Sequence, residues 1–166
     1  MLQGKNQSVN WKRLICNNQA TPKSKFILWL ALHNRLATRD RLSKWNVPCR
    51  ITCSLCDCAN KSVQHLFFEC SYDAAIWRSV YHIIHITSQG NTFEQECSKA
   101  IAKARGSTRV ARIYITSFTE TVYALWKQRN HKIFNGRCAN SNQVVKEVIF
   151  KVACLCKEDD GKLLIY

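Results

Sequence analysis

The chain has 166 residues, of which 46% are hydrophobic, and it carries a formal net charge of +14 at pH 7. This length suits one domain, or a small domain with an extension, and the hydrophobic content excludes a disordered basic tail. The large positive charge makes a polyanion, such as nucleic acid, the expected class of partner.

The first third of the sequence predicts two helices. Thr21 followed by Pro22 is a good helix start, because Thr caps free backbone amides and Pro fits the first turn. Apolar residues then recur at steps of three and four, which predicts a helix with one buried face. The residues expected on that face are Phe26, Trp29, Leu30, His33 and Leu36 or Ala37. Thr38 is the expected cap of a second helix, from Arg39 to Trp45.

The middle of the chain begins with a segment that lacks regular periodicity. Residues 49–61 follow neither a helical nor a strand pattern, so we expect a loop or a tight hairpin there. Ser62 is the expected cap of a short helix through His65. A longer helix from Ser71 to His85 is expected to bury Ile76, Trp77, Val80, Tyr81 and Ile84 on one face.

The second half predicts three further helices. Thr92 with Gln95 forms a capping box that opens the first of them. The apolar pattern between residues 111 and 133 predicts a long helix that ends at Gly136. Ser141 is the expected cap of the last helix, although the β-branched residues that follow it leave a strand as an alternative.

These elements predict a mainly α-helical protein with a boundary near Gly90. We divide it into an amino-terminal segment (residues 1–20), a basic, cysteine-bearing module (21–89) and a helical carboxy-terminal region (90–166). The longest apolar run has seven residues, against about 20 for a membrane-spanning helix. With no signal peptide in residues 1–10, we expect an intracellular protein, nuclear or cytoplasmic, that is neither secreted nor bound to a membrane.

A cluster of cysteines in the middle of the chain predicts a metal site. Cys53, Cys56, His65 and Cys70 follow the spacing C-x2-C-x8-H-x4-C, and three thiolates with one imidazole are a preferred tetrahedral set for Zn²⁺. Four protein ligands leave no position for an activated water, so the pattern predicts one structural zinc ion. Cys49 or Cys58 could replace Cys53 or Cys56, but the one-residue gap between Cys56 and Cys58 is unusual for paired zinc ligands.

Several motifs in the same order resemble those of one known family. They are Pro22-Lys23, Phe26, Trp29, Leu36, the run Thr38 to Leu42, Cys53-x-x-Cys56, the run His65 to Cys70, and Trp77. Together they resemble the zinc-binding domain of plant reverse transcriptases, which lies downstream of the polymerase in LINE-type (non-LTR) retrotransposons. The resemblance runs from about Trp11 to Tyr81 and implies the same four zinc ligands. Further on, residues 125–134 resemble a helix with a tryptophan and an Arg-Asn pair that often follows this domain.

The acidic residues do not form an enzyme site. A polymerase needs paired aspartates on a hairpin to hold two metal ions, whereas the adjacent pair Asp159-Asp160 lies in a hydrophilic stretch without flanking strands. The eleven acidic residues also offer no converging set for a nuclease. We therefore expect no enzymatic activity, no small-molecule substrate and no polymerase on this chain.

The basic residues are concentrated at the amino-terminal end. Residues 1–50 contain ten Lys or Arg and one acid, and four of the ten lie around a predicted helix start, where they are expected to contact phosphates: Arg35, Arg39, Arg41 and Lys44. The sequence therefore predicts a zinc-stabilised module that binds the backbone of RNA or DNA with little sequence preference. The alternatives are a protein-interaction adaptor, with an exposed apolar patch on the 110–134 helix, and a retroelement relic without a selected role.

Overall fold

The computed structural model describes residues 11–36, 52–56, 65–87 and 92–156, of which 74% are helical. No strand is present among these residues, so the prediction of a mainly α-helical fold is confirmed. The elements are α1 (Trp11–Cys16), α2 (Pro22–Leu32), a π-helical turn (His65–Glu69), α3 (Ser71–Ile83), α4 (Phe93–Lys103), α5 (Arg109–Asn135) and α6 (Ser141–Leu155). The predicted helix from Arg39 to Trp45 lies outside the described residues.

Capping residues set most of the helix ends that the sequence predicts. Oγ1 of Thr21 accepts a hydrogen bond from the amide of Ser24 at the start of α2, and Oγ1 of Thr92 accepts one from Gln95 at the start of α4. Gly136 ends α5 with φ of 70°, a left-handed conformation that glycine adopts without steric cost.

The last helix begins one residue earlier than predicted. The side chain of Asn140, and not that of Ser141, accepts the capping hydrogen bond, from the amide of Asn142 at 2.8 Å. The segment is a helix and not a strand, because Val144, Val145, Val148, Ile149 and Val152 all fall on one face and are buried. Burial of this face against neighbouring helices outweighs the weak strand preference of β-branched residues.

The long helix α5 is the centre of the molecule and contacts α2, α3, α4 and α6. Tyr114, Phe118, Val122 and Leu125 on α5 are fully or almost fully buried. They belong to a single hydrophobic core whose members range from Leu14 to Cys156. The proposed division at residues 20 and 89 remains a prediction, and this core includes residues from both sides of residue 89. None of the described helices is long and apolar enough to cross a membrane.

The predicted buried face of α3 is confirmed, and that of α2 is largely wrong. All five residues expected in the core from α3 and its end are buried. On α2, Ser24, Ile27, Leu28 and Ala31 are buried, whereas Phe26 is 58% exposed and Trp29, Leu30 and His33 are half-buried. Leu36, beyond the helix, is buried as expected. The apolar run in α2 offers two candidate faces, and α5 packs against the one that carries the small residues Ser24 and Ala31.

A buried carboxylate on α5 fixes the start of α2. The Glu120 side chain is 1% exposed and accepts hydrogen bonds from the Thr21 amide and the Ser24 hydroxyl, both at 2.8 Å. Lys151 of α6 lies 2.6 Å from the same carboxylate and balances its charge. Glu120 therefore joins α2, α5 and α6 at one point.

Replacing Glu120 with glutamine is expected to destabilise the protein. The substitution Glu120→Gln removes the charge that pairs with Lys151 and leaves a buried amide NH₂ facing other donors, so we expect a loss of about 1.5–3 kcal/mol in the free energy of unfolding. Urea denaturation followed by circular dichroism measures this loss. Glu147→Gln, at an exposed position of α6, is the matched control and should change the free energy by less than about 0.5 kcal/mol.

Candidate metal centre

Two short turns bring the four predicted ligands together. Cys53 and Cys56 flank a tight turn, while His65 and Cys70 lie at the two ends of the π-helical turn that leads into α3. The Cys70 amide donates a hydrogen bond to the His65 carbonyl at 3.1 Å, an i to i+5 bond. In an α-helix, residues five apart would point about 140° away from each other, given 100° per residue. The wider π-helical turn instead places His65 and Cys70 on the same side.

The distances between the ligand atoms fit a tetrahedral zinc ion. The four ligand atoms of Cys53, Cys56, His65 and Cys70 all lie within 4.8 Å of one another. Sγ of Cys53 is 3.9 Å from Sγ of Cys70, and Sγ of Cys56 is 3.4 Å from Nε2 of His65. Tetrahedral coordination with Zn–S near 2.3 Å and Zn–N near 2.05 Å requires separations of about 3.8 Å and 3.6 Å. The donor set and its spacing therefore suit one structural Zn²⁺.

Burial supports a structural role for this site. Cys53 and Cys70 have no exposed surface and His65 is 4% exposed, while Cys56 is half-buried. On the far side of the imidazole, Oε2 of Glu69 lies 3.8 Å from Nδ1 of His65. This separation exceeds hydrogen-bond length, but it places a negative charge beside the ring nitrogen that does not face the sulfurs.

The helix α5 contributes a residue to the metal site. Nη1 of Arg129 donates a hydrogen bond to Sγ of Cys53 at 3.4 Å, and Nη2 donates one to the carboxylate of Asp73 on α3. Arg129 is 5% exposed and Asp73 is fully buried. Burial raises the pKa of Asp73 to about 7, and the Arg129 guanidinium opposes that rise. Arg129 therefore ties the cysteine turn to α3 through a buried ion pair.

The two buried sulfurs differ in acidity. The hydrogen bond with Cys70 lowers the pKa of Cys53, and the amides of Leu55 and Cys56 and the charge of Arg129 act in the same direction. The same hydrogen bond, together with burial, raises the pKa of Cys70. Zinc binds thiolates and not thiols, so protons compete with the metal for these sulfurs and the affinity for zinc is expected to fall as the pH is lowered.

Other residues that the sequence singled out are only partly described. Arg35 is exposed, and its guanidinium carbon lies 5.7 Å from the centre of the Trp29 ring. The other three predicted phosphate contacts, Arg39, Arg41 and Lys44, lie outside the described residues. So do Cys49 and Cys58, the alternative metal ligands.

Arg129 is the site residue that the sequence analysis missed. The sequence contains one indication of it. Arg129 belongs to the Arg129-Asn130 pair in residues 125–134, which resemble a helix that often follows the zinc-binding domain. Arg129 is 76 residues from Cys53 in the chain. Local spacing holds no information on a contact at that separation.

Comparison with known proteins agrees with the geometry. Residues 1–77 match a family model described as zinc-binding in reverse transcriptase. No curated protein and no solved structure matches the chain. The matched segment contains all four clustered ligands and ends within α3, so Arg129 lies beyond it. The match and the Cys₃His cluster are together consistent with one structural zinc ion.

Proposed function

We propose that this chain is a zinc-stabilised module that binds RNA or DNA, because residues 1–77 match the family model described as zinc-binding in reverse transcriptase. It would contact the phosphate backbone with little sequence preference, and it would derive from the polyprotein of a plant LINE-type retrotransposon. The observation that carries the proposal is the excess of positive charge in the zinc-binding part, where residues 1–50 hold ten bases and one acid.

The cations of the amino-terminal helices are available for an external partner. Lys12, Arg13, Lys23 and Arg35 are exposed and Lys25 is half-buried. Within the part of the chain that the structure describes, none of these five pairs with an acidic side chain. By contrast, three cations of the later helices are in ion pairs within the protein: Lys99 with Glu96, Arg129 with Asp73, and Lys151 with Glu120. The cations of the amino-terminal helices are therefore open to contact with phosphates.

The zinc ion would stabilise the fold and would take no part in catalysis. The matched family is a zinc-binding module rather than the catalytic polymerase. A Cys₃His site supplies all four ligands of a tetrahedral ion, so no open position remains for a reacting water or substrate. We therefore propose that the chain is not an enzyme and that zinc holds the basic helices in place.

The salt dependence of binding tests this function. We expect the logarithm of the association constant for a 20-nucleotide RNA or DNA to fall linearly with the logarithm of the salt concentration. Each phosphate neutralised contributes about 0.7 to the slope for single strands and about 0.9 for duplex DNA. Lys12→Gln and Lys23→Gln should each reduce the slope by about one or less. Fluorescence anisotropy at several salt concentrations gives these values.

The matched control is Lys127→Gln, an exposed lysine on α5 outside the matched segment, which should leave the slope unchanged. Oligonucleotides of different sequence should bind with similar affinity. A slope near zero, or binding that depends chiefly on base sequence, would contradict the proposal.

A protein-interaction role is the second candidate, because α5 does expose apolar side chains. Val110 is 56% exposed and Phe134 is 80% exposed. They lie 24 residues apart on one helix, which is about 36 Å at 1.5 Å per residue, so they do not form the single patch expected of an adaptor. Phe134 and its neighbour Ile133 do form a small exposed apolar surface at one end of the helix. A chain that fails to bind any nucleic acid in a gel-shift titration would favour this candidate.

A further inference from the structure

The helix α2 has a second apolar face that the core does not cover. Its buried face carries Ile27, Leu28 and Ala31, whereas Phe26 and Trp29 point away from it. Phe26 is 58% exposed, although a phenylalanine on a helix of a small protein is usually packed inside. The exposed side of α2 therefore presents aromatic surface.

The aromatic rings on this side form a continuous row. The rings of Phe26 and Trp29 are nearly parallel, with centroids 6.2 Å apart and an interplanar angle of 14°. His33 continues the row 4.6 Å from Trp29, and Trp11 of α1 meets His33 edge-on at 4.8 Å. The Arg35 guanidinium lies over Trp29. We call these five residues the aromatic row.

The segment that carries the aromatic row has basic residues but no acidic ones. Residues 11–36 contain five basic residues and no acidic residue. They are Lys12, Arg13, Lys23, Lys25 and Arg35. Flat rings among unpaired cations suit a ligand that carries both planar apolar groups and regularly spaced negative charges, and unpaired nucleotides have both. Duplex DNA suits the row less well, because its bases are already stacked on one another.

We propose that the aromatic row binds single-stranded nucleic acid, with unpaired bases stacked on Phe26 and Trp29 and with phosphates held by the neighbouring lysines and arginines. This inference rests on the proposed function and specifies it further. It assigns base stacking to α2 and explains why the helix keeps an aromatic face in solvent.

Replacement of Phe26, the most exposed ring of the aromatic row, tests the proposal. Base stacking on an aromatic side chain corresponds to an affinity change of about 5- to 150-fold, so Phe26→Ala is expected to weaken binding of a 15-nucleotide oligo(dT) or oligo(U) within that range. The salt slope should stay the same, since no phosphate contact is removed. Binding of a blunt 15-base-pair duplex should change by less than twofold, and Phe26→Trp should restore the affinity for the single strand.

The matched control is Phe134→Ala, an even more exposed phenylalanine at the far end of α5, which should leave all affinities unchanged. Equal binding of the single strand by Phe26→Ala and the original chain, with a salt slope that still depends on Lys23, would overturn the aromatic row but not the proposed function. No binding of either oligonucleotide would overturn both. Phe26-dependent binding to phosphatidylserine vesicles, without oligonucleotide binding, would instead assign the row to a lipid surface.

Discussion

The purified chain is expected to contain one zinc ion, and Cys53→Ser is expected to lose it. Serine is nearly the same size as cysteine, so the substitution removes a metal ligand with little change in packing. Structural zinc in small modules contributes about 10–16 kcal/mol of apparent binding free energy, whereas a whole domain is stable by about 5–15 kcal/mol. Loss of the metal should therefore unfold the cysteine turn and the π-helical turn and reduce the helical signal.

Elemental analysis and thermal denaturation, with and without a chelator, measure these effects. Cys138→Ser is the matched control, because Cys138 is exposed and lies outside the cluster; it should keep one zinc ion and an unchanged melting temperature. His65→Ala should behave like Cys53→Ser. A chain that is isolated without zinc, and whose melting temperature does not respond to the chelator, would contradict the assignment of this site.

Arg129→Met is expected to lower the free energy of unfolding by about 3–5 kcal/mol, because it leaves the buried carboxylate of Asp73 without its cation. The same substitution removes the hydrogen bond that Arg129 donates to Cys53. Loss of such a contact behind a ligand weakens metal affinity by about 10- to 100-fold in known sites. Urea denaturation measures the first effect, and competition with a chromogenic chelator measures the second.

Two further variants separate charge from packing at Arg129. Lys127→Met changes an exposed cation two residues away on α5 and should affect neither stability nor zinc affinity. Asp73→Asn combined with Arg129→Met removes both charges of the pair, so the double variant should be more stable than Arg129→Met alone. If Arg129→Met unfolds and binds zinc like the original chain, then α5 does not support the site.

Short-range patterns predicted the helices well. The cap residues Thr21 and Thr92 and the terminating Gly136 lie within a few residues of the groups they bond, so the sequence around them contains the whole interaction. The buried face of α3 was equally clear, because its apolar residues recur at steps of three and four with polar residues between them. For α2, whose residues 26–32 are all apolar, periodicity could not tell which face would be buried.

The sequence alone determined the helical class, most of the helix starts and a set of four zinc-type ligands at a workable spacing. Tertiary structure decided which face α2 buries and that a π-helical turn aligns His65 with Cys70. It also decided that Glu120 and Arg129 reach back to the amino-terminal part, across 99 and 76 residues of chain. Caps and ligand spacings are local geometry, whereas these long-range partners meet only when α5 packs into the shared core.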